Sequence, residues 1–191
     1  SRGLGDVYKR QVPTSASLTI DLATATVRAE GTEGGPAKVE TAGAVIQPFL
    51  AKAPIDLKGI AGALGIEVRE DSHLPDDISG SIQKTGKCYC IAINGRHHHH
   101  RQRFTLAHEL AHYVKHRELI GDGVTDSALY RSNLSDAIES QANQYAAELL
   151  MPARLVRKLF REGKASVAEQ AEAFDVSTEA ARIRMGNVIR T

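Results

Sequence analysis

The sequence is organised around the stretch Arg103-Phe104-Thr105-Leu106-Ala107-His108-Glu109-Leu110-Ala111-His112, which contains the pattern HExxH. A helix turns by about 100° per residue, so His108 and His112 lie on one face and both imidazoles can reach one ion. Glu109 lies one step around from His108, where its carboxylate can take a proton from a water without binding the ion itself. The stretch therefore predicts a metal-binding helix and metal-assisted hydrolysis.

The neighbouring residues support a helix. Because the chain contains eight histidines, a pair at this spacing can arise by chance, and the pattern needs a helical setting to carry weight. An apolar stripe at helical spacing supplies that setting, and it consists of Phe104, Ala107, Ala111 and Val114. We therefore expect an amphipathic helix of about three to four turns.

A catalytic zinc ion usually takes three protein ligands and leaves a fourth position for water. The next predicted helix, residues 135–150, supplies a candidate for the third ligand. Its core-facing stripe is formed by Ile138, Ala142, Tyr145 and Leu149. Glu139 lies beside this stripe, where a carboxylate can reach inward, whereas Glu148 is interpreted as a solvated surface charge.

Two blocks of sequence resemble the ImmA/IrrE family of zinc-dependent metallopeptidases, and the resemblance covers roughly Ile55 to Met185. The first block is Arg101-Gln102-Arg103-Phe104-Thr105 followed after two residues by His108-Glu109-Leu110-Ala111-His112. The second is Glu139-x-x-Ala142-Asn143-x-x-Ala146-x-x-Leu149-Leu150-Met151-Pro152. The resemblance implies a gluzincin-like site with His108, His112 and Glu139 as metal ligands and Glu109 as catalytic base. Gln141 departs from the many relatives that have a second acid there, which favours Glu139 as the ligand.

The function that follows is that of a zinc metalloendopeptidase, with manganese as a substitute metal because the ligands mix nitrogen and oxygen. Glu109 would take a proton from the attacking water and pass it to the leaving amine. Family members cleave helix-turn-helix transcriptional repressors, often in stress-response or toxin-antitoxin loci, so a repressor or antitoxin is the expected partner. The alternative is a non-catalytic regulatory module with a structural metal, which binds a repressor or DNA through its C-terminal helices. An intact Glu109 favours the enzyme.

Composition limits the partners and the location. With 24 Lys plus Arg against 23 Asp plus Glu, the net charge is +1, which does not favour nucleic acid or an anionic membrane as a direct ligand. The sequence contains no run of 18 apolar residues and no charged-then-apolar signal peptide. We therefore expect a soluble, cytoplasmic protein.

The expected fold class is α+β. A short helix capped by Asp56 and stopped by Gly65 precedes three predicted strands, residues 66–70, 78–84 and 87–94, the last two joined as a hairpin. They are expected to form a small three-stranded antiparallel sheet packed with a zincin-type helical bundle. A C-terminal appendage resembles a helix-turn-helix, with Ser177 capping its second helix.

Three regions are predicted: an N-terminal extension over residues 1–38, a metallopeptidase core over 39–152 and a helical appendage over 153–191. The extension is expected to be poorly ordered, and residues 1–11 are interpreted as artefactual because they resemble translated adaptor sequence.

Several other residues carry secondary predictions. Cys88 and Cys90 should point to one face of a strand as reduced packing residues. The run His97 to His100 is interpreted as an exposed loop, and Arg101 and Arg103 as residues that pair with acids and fix the start of the metal-binding helix. Three side chains could each donate a hydrogen bond to a developing oxyanion: Tyr113, His116 and Tyr130.

Overall fold

The computed structural model describes residues 26–27, 40–120 and 133–189. In these ranges the α-helices are α1 (Ala42–Ile46), α2 (Leu57–Ala63), α3 (His99–Lys115), α4 (Asn133–Leu150), α5 (Ala153–Arg161), α6 (Val167–Phe174) and α7 (Thr178–Ile189). The strands are β1 (Thr26–Val27), β2 (Glu40–Thr41), β3 (Ile66–Asp71), β4 (Gly80–Thr85) and β5 (Cys88–Asn94). Gln47–Ala51 and Arg117–Leu119 form short 3-10 helices. The α+β class is confirmed, while Tyr130 and most of the N-terminal extension lie outside the described residues.

The three longer strands form a mixed sheet in the order β3-β5-β4. β4 pairs antiparallel with β5, as the hairpin predicted, but β3 pairs parallel with β5, with Asp71 opposite Asn94. The prediction of a wholly antiparallel sheet is therefore wrong. The physical reason is that β5 lies between the two strands that precede it in sequence, so β3 and β4 never pair with each other.

The loop of residues 72–79 makes this order feasible by passing over the carboxyl end of β5. Asn94, which is fully buried there, donates from Nδ2 to the carbonyl oxygens of Pro75 and Ile78, each at 3.0 Å. Its Oδ1 accepts from the backbone N–H of Arg96 at 3.0 Å. The buried amide is therefore satisfied, and it holds the loop against the end of the sheet.

The side chains of β5 explain why this strand is central. Tyr89, Ile91 and Ile93 alternate along it and are all buried on the helical side. Cys88 and Cys90 occupy the opposite face as free thiols, as predicted, but Cys88 is exposed, so the prediction of a packing role is wrong for it. The most apolar strand thus takes the position with neighbours on both edges.

Helix α3 packs in the middle of the molecule, between the sheet and α4. A run from Thr105 to Val114 is buried except for His108. The first residue of β4 comes so close that a Cβ on Gly80 would lie 2.5 Å from Cγ2 of Thr105. The helix also begins earlier than predicted, because His98 accepts a hydrogen bond from the N–H of His100 as the N-cap. His99 and His100 are therefore helical, and the prediction of a loop is wrong for them.

Polar side chains in the first turn of α3 attach the helix to the sheet. Arg101 donates from Nη2 to the hydroxyl of Ser79 at 2.8 Å. Gln102 donates from Nε2 to backbone carbonyl oxygens in residues 94–97, the shortest distance being 2.9 Å. The helix start is thus held against the turn that follows β5.

Arg103 attaches the same turn to the C-terminal helices. Its Nε donates to the carbonyl oxygen of Asp175 at 3.0 Å, and its Nη2 donates to that of Ile55 at 3.1 Å. The guanidinium also lies 3.2 Å from the Asp175 carboxylate, which accepts from His99 at 2.6 Å. The prediction that Arg103 pairs with an acid and fixes the helix start is confirmed.

Helices α6 and α7 begin at well-formed caps. Ser166 and Glu169 form a capping box at the start of α6, each bonding to the backbone of the other. The helix ends at Asp175, whose φ of 54° is left-handed, and Ser177 then accepts from the N–H of Ala180 at 3.1 Å. The cap predicted at Ser177 is confirmed.

Glu148 ties these helices to α4. Its carboxylate accepts from the N–H of Ala153 at 3.1 Å and pairs with the guanidinium of Arg184 on α7. Arg184 also donates to the carbonyl oxygen of Met151 at 2.9 Å. The interpretation of Glu148 as a solvated charge is wrong, because α7 returns to cover it. Among the helices described, none is long and apolar enough to cross a bilayer.

Candidate metal centre

Side chains from α3 and α4 converge at one point. The Nε2 atoms of His108 and His112 are 2.9 Å apart. Oε2 of Glu139 lies 3.3 Å from Nε2 of His108, and Oε1 lies 3.3 Å from Nε2 of His112. Across residues 40–120 and 133–189, no other group of three His, Cys, Asp or Glu side chains is this close together. The three ligands predicted from the sequence are therefore brought to one place.

These distances are close to those around a metal ion. Bonds of about 2.0 to 2.2 Å at tetrahedral angles separate ligand atoms by about 3.3 to 3.6 Å. Glu139 lies 3.3 Å from each histidine through a different oxygen, and the two histidine nitrogens are closer, at 2.9 Å, so the rings would have to move apart around an ion. Side-chain exposure rises from 4% at His112 to 34% at Glu139, so the centre opens to solvent on the side of Glu139. Two imidazole nitrogens and one carboxylate with an open side form the donor set of a catalytic zinc site.

The charges of this centre are strongly coupled. Although burial acts to raise it, hydrogen bonds from both histidines hold the pKa of Glu139 well below its usual range. Burial acts to lower the pKa of His108, but the hydrogen bond that its ring donates to Glu139 and the nearby charge of Glu109 raise the pKa on balance. The carboxylate is thus ionised and shares protons with the imidazoles, and a cation that binds here must displace those protons.

Glu109 is buried beside the three side chains. Burial raises its pKa, an effect that the charges of His108 and His112 partly oppose. The nearby backbone N–H of Ile82 on β4 also acts to lower this pKa, by a smaller amount. A buried carboxylate with a raised pKa has the properties of a general base.

A second set of side chains contacts the Nδ1 atoms of the two histidine rings, on the side opposite the converging Nε2 atoms. Nδ1 of His108 lies 3.0 Å from Oδ1 of Asn143, one turn beyond Glu139 on α4. Nδ1 of His112 lies 3.3 Å from Nδ1 of His116, whose Nε2 is 3.2 Å from Oε1 of Gln141. Burial lowers the pKa of His116, which favours its neutral form.

The sequence did not assign roles to Asn143 and Gln141 in this set. A signal for Asn143 was available, because a residue four positions after Glu139 lies on the same helical face. Gln141 had no such signal, because its partner His116 is on another helix.

Two of the side chains proposed as oxyanion donors are placed elsewhere. Tyr113 is buried and packs edge-on against Tyr89, with Arg117 over its ring. His116 lies behind His112, on the side of Nδ1 and away from the converging Nε2 atoms. Neither residue faces the solvent-open side of the centre, and Tyr130 lies outside the described residues.

Comparison with known proteins identifies a family and a related protein. A peptidase family described as an IrrE N-terminal-like domain matches residues 61–185. The radiation response metalloprotease IrrE of Deinococcus deserti is 39% identical over 100 residues, which cover 49% of this chain and 34% of that protein. This chain therefore spans about a third of the length of that relative.

A solved structure described as a Mycobacterium tuberculosis transcriptional regulator aligns with a TM-score of 0.48 and 20% identity. The alignment covers 68% of this chain and 39% of that one. The family match is the stronger result, because it extends over more than half of the chain and includes all four residues of the candidate centre. On that ground, the chain belongs to the ImmA/IrrE family of metallopeptidases.

Proposed function

We propose that this chain is a zinc-dependent endopeptidase. The observation that carries the proposal is the convergence of His108, His112 and Glu139 with a buried Glu109 beside them. Family membership supports a metallopeptidase, and the donor set supports zinc, with manganese as a substitute. His108, His112 and Glu139 would hold the ion, which when bound supplies Lewis-acid chemistry that polarises a peptide carbonyl and acidifies water.

Glu109 is the base of the proposed reaction. Its carboxylate takes the proton of the attacking water and returns it to the amine that leaves. Burial keeps bulk water from competing for this carboxylate. The alternative of a non-catalytic metal module is not favoured, because a structural ion has no use for a buried base at this position.

The proposed substrate is a helix-turn-helix transcriptional repressor or antitoxin, as the family resemblance implies, and its cytosolic location is part of the same proposal. Recognition would use surfaces away from the scissile bond, so that binding energy positions the substrate. We assign this role to residues 153–191, where α6 and α7 form a helix-turn-helix-like pair attached to a core of residues 39–152. Arg103 and Arg184 attach this pair to α3 and α4.

A cleavage assay tests this function. The zinc-loaded chain is incubated with candidate helix-turn-helix repressors from its own genome, and the products are identified by mass spectrometry. We expect cleavage at one site, which a chelator abolishes and added zinc restores. A repressor left intact would contradict the proposed substrate. Efficient digestion of unfolded casein would contradict selectivity and indicate a general peptidase.

A further inference from the structure

Two side chains behind the metal centre have no part in the chemistry proposed above. His116 is 8% exposed and follows His112 by one turn on α3. Gln141 follows Glu139 by two residues on α4. The side chains of His116 and Gln141 meet at 3.2 Å, and His116 contacts His112 at 3.3 Å. Gln141, His116 and His112 therefore form a continuous series of contacts that ends at the candidate ligand His112.

The hydrogen-bonding capacity of each atom decides which group donates at each of these contacts. With Oε1 of Gln141 turned toward it at 3.2 Å, Nε2 of His116 is the donor of this contact. Nδ1 of His116 then has a free lone pair. Nδ1 of His112, 3.3 Å away, is then the donor of that contact, so Nε2 presents a lone pair once a cation displaces the proton that it shares with Glu139. Nε2 is the atom that faces His108 and Glu139.

We propose that Gln141 and His116 are positioning residues that fix the tautomer and the ring orientation of His112 for metal binding. This inference rests on the proposed metal site and deepens it. His112 and His116 are both buried, so water is not at hand to replace either partner. The ring of His108 is oriented directly, by the contact of its Nδ1 with Asn143 on α4. The two ligating histidines are thus oriented from the same helix, one directly and one through a third imidazole.

Nearly isosteric substitutions separate this role from packing. His116→Asn keeps an acceptor close to the former position of Nδ1, whereas His116→Leu has a similar size and no acceptor. We expect His116→Leu to weaken zinc binding about 10-fold or more and His116→Asn to keep most of the affinity, because outer partners of metal ligands typically contribute about 10- to 100-fold. Zinc affinity is measured by competition with a chromogenic chelator.

Gln141→Leu provides a second variant that leaves the packing of α3 intact, because position 141 is exposed. We expect a smaller loss of zinc affinity, since His116 keeps its place but loses the acceptor that sets its tautomer. The matched control is Gln144→Leu, the same change at an exposed position on the same helix, which should not alter the affinity.

Nitrogen-15 NMR of the zinc-loaded chain reads the tautomers directly. We expect the proton on Nδ1 of His112 and on Nε2 of His116. A proton on Nδ1 of His116, or equal zinc affinity in His116→Leu and His116→Asn, would overturn the positioning role. Failure of the unmodified chain to bind stoichiometric zinc would instead overturn the metal site itself, so the two failures are distinguishable.

Discussion

The two halves of helix α3 put polar side chains to different uses. In the first turn, Arg101, Gln102 and Arg103 donate to backbone carbonyl oxygens, a hydroxyl and one carboxylate. One turn further on, His108 and His112 bring two nitrogen atoms within 2.9 Å of each other and face a carboxylate instead of backbone. The first half contacts backbone carbonyl oxygens, a hydroxyl and one carboxylate, whereas the second gathers two imidazole nitrogens and a carboxylate at one point.

This difference distinguishes structural polar groups from functional ones. A polar group that serves the fold is paired with partners the chain supplies, because an unpaired buried donor costs about 1 to 3 kcal/mol. Grouped lone pairs and a buried carboxylate repel one another unless protons or a cation separate them. We therefore expect changes in the first half of α3 to alter stability, and changes in the second half to alter metal binding and catalysis.

The sharpest test of the functional half is Glu109→Gln. The amide cannot accept the proton of the attacking water, so cleavage of the repressor should fall by about 10³-fold, within the range for removal of a general base. The measurement is kcat/KM with the variant loaded with zinc. Zinc content and melting temperature serve as controls and should be unchanged. Cleavage at the normal rate would rule out Glu109 as the base.

A second test removes a ligand. His112→Ala is made in a chain whose residues 97–100 have been changed to serine, so that the histidine run cannot trap metal. Elemental analysis should find about one zinc ion per chain before the change and almost none after it. Zinc at about 100 times its Kd should add about 2.7 kcal/mol to the free energy of unfolding of the parent and nothing to the variant. Stoichiometric zinc in the variant would refute the ligand assignment.

The structural half is tested by Arg103→Met. The change leaves the carbonyl oxygens of Ile55 and Asp175 without this donor and the Asp175 carboxylate without its cation. We expect the free energy of unfolding to fall by about 2 kcal/mol while zinc affinity stays the same. Arg157→Met, at an exposed position on α5, is the control and should change stability by less than about 0.5 kcal/mol. If Arg103→Met also weakened zinc binding, the proposed division of α3 into a structural half and a functional half would be wrong.

The smallest effect is expected from acid titration of Asp175. Partial burial acts to raise its pKa, but the hydrogen bond from His99 and the charge of Arg103 hold it below the usual range. A lowered pKa stabilises the fold above the ordinary aspartate pKa of about 4, and this contribution is lost as the pH falls below that value. Asp175→Asn should therefore lower stability by less than about 1 kcal/mol at pH 7, with the difference shrinking in acid. Urea unfolding of the parent and the variant from pH 7 to pH 3 measures this stability difference. A difference that grows in acid would contradict a lowered pKa for Asp175.

Local patterns in the sequence predicted the features that depend on residues near one another. The cap at Asp56 accepts from the N–H of Gly59 at 2.8 Å, and Gly65 ends that helix with a φ of 72°. His108 and His112 share a face because the helical repeat places residues i and i+4 together. Each of these depends on a few consecutive residues, so the sequence is sufficient to predict it.

Features that depend on distant segments were predicted less well. The pairing of β3 with β5 depends on which strand buries more apolar surface, and no short stretch of sequence records that competition. Glu148 looks like a surface charge until α7 brings Arg184 to it from 36 residues away. His116 and Gln141 were named for other reasons, and only the packing of α3 against α4 makes them partners.

The sequence by itself determined that one helix would present two histidines and a glutamate for hydrolytic metal chemistry, because the i, i+1 and i+4 spacing acts through the geometry of a single helix. It also indicated Glu139 as the third candidate ligand, through its place beside the core-facing stripe of the next helix and through the family resemblance. The tertiary structure alone decided the 3.3 Å approach of Glu139, the burial of Glu109 beneath β4 and the contact of His116 with Gln141. These depend on how two helices and a sheet pack together, since distances between separate elements are fixed by the whole core and not by the spacing of residues along the chain.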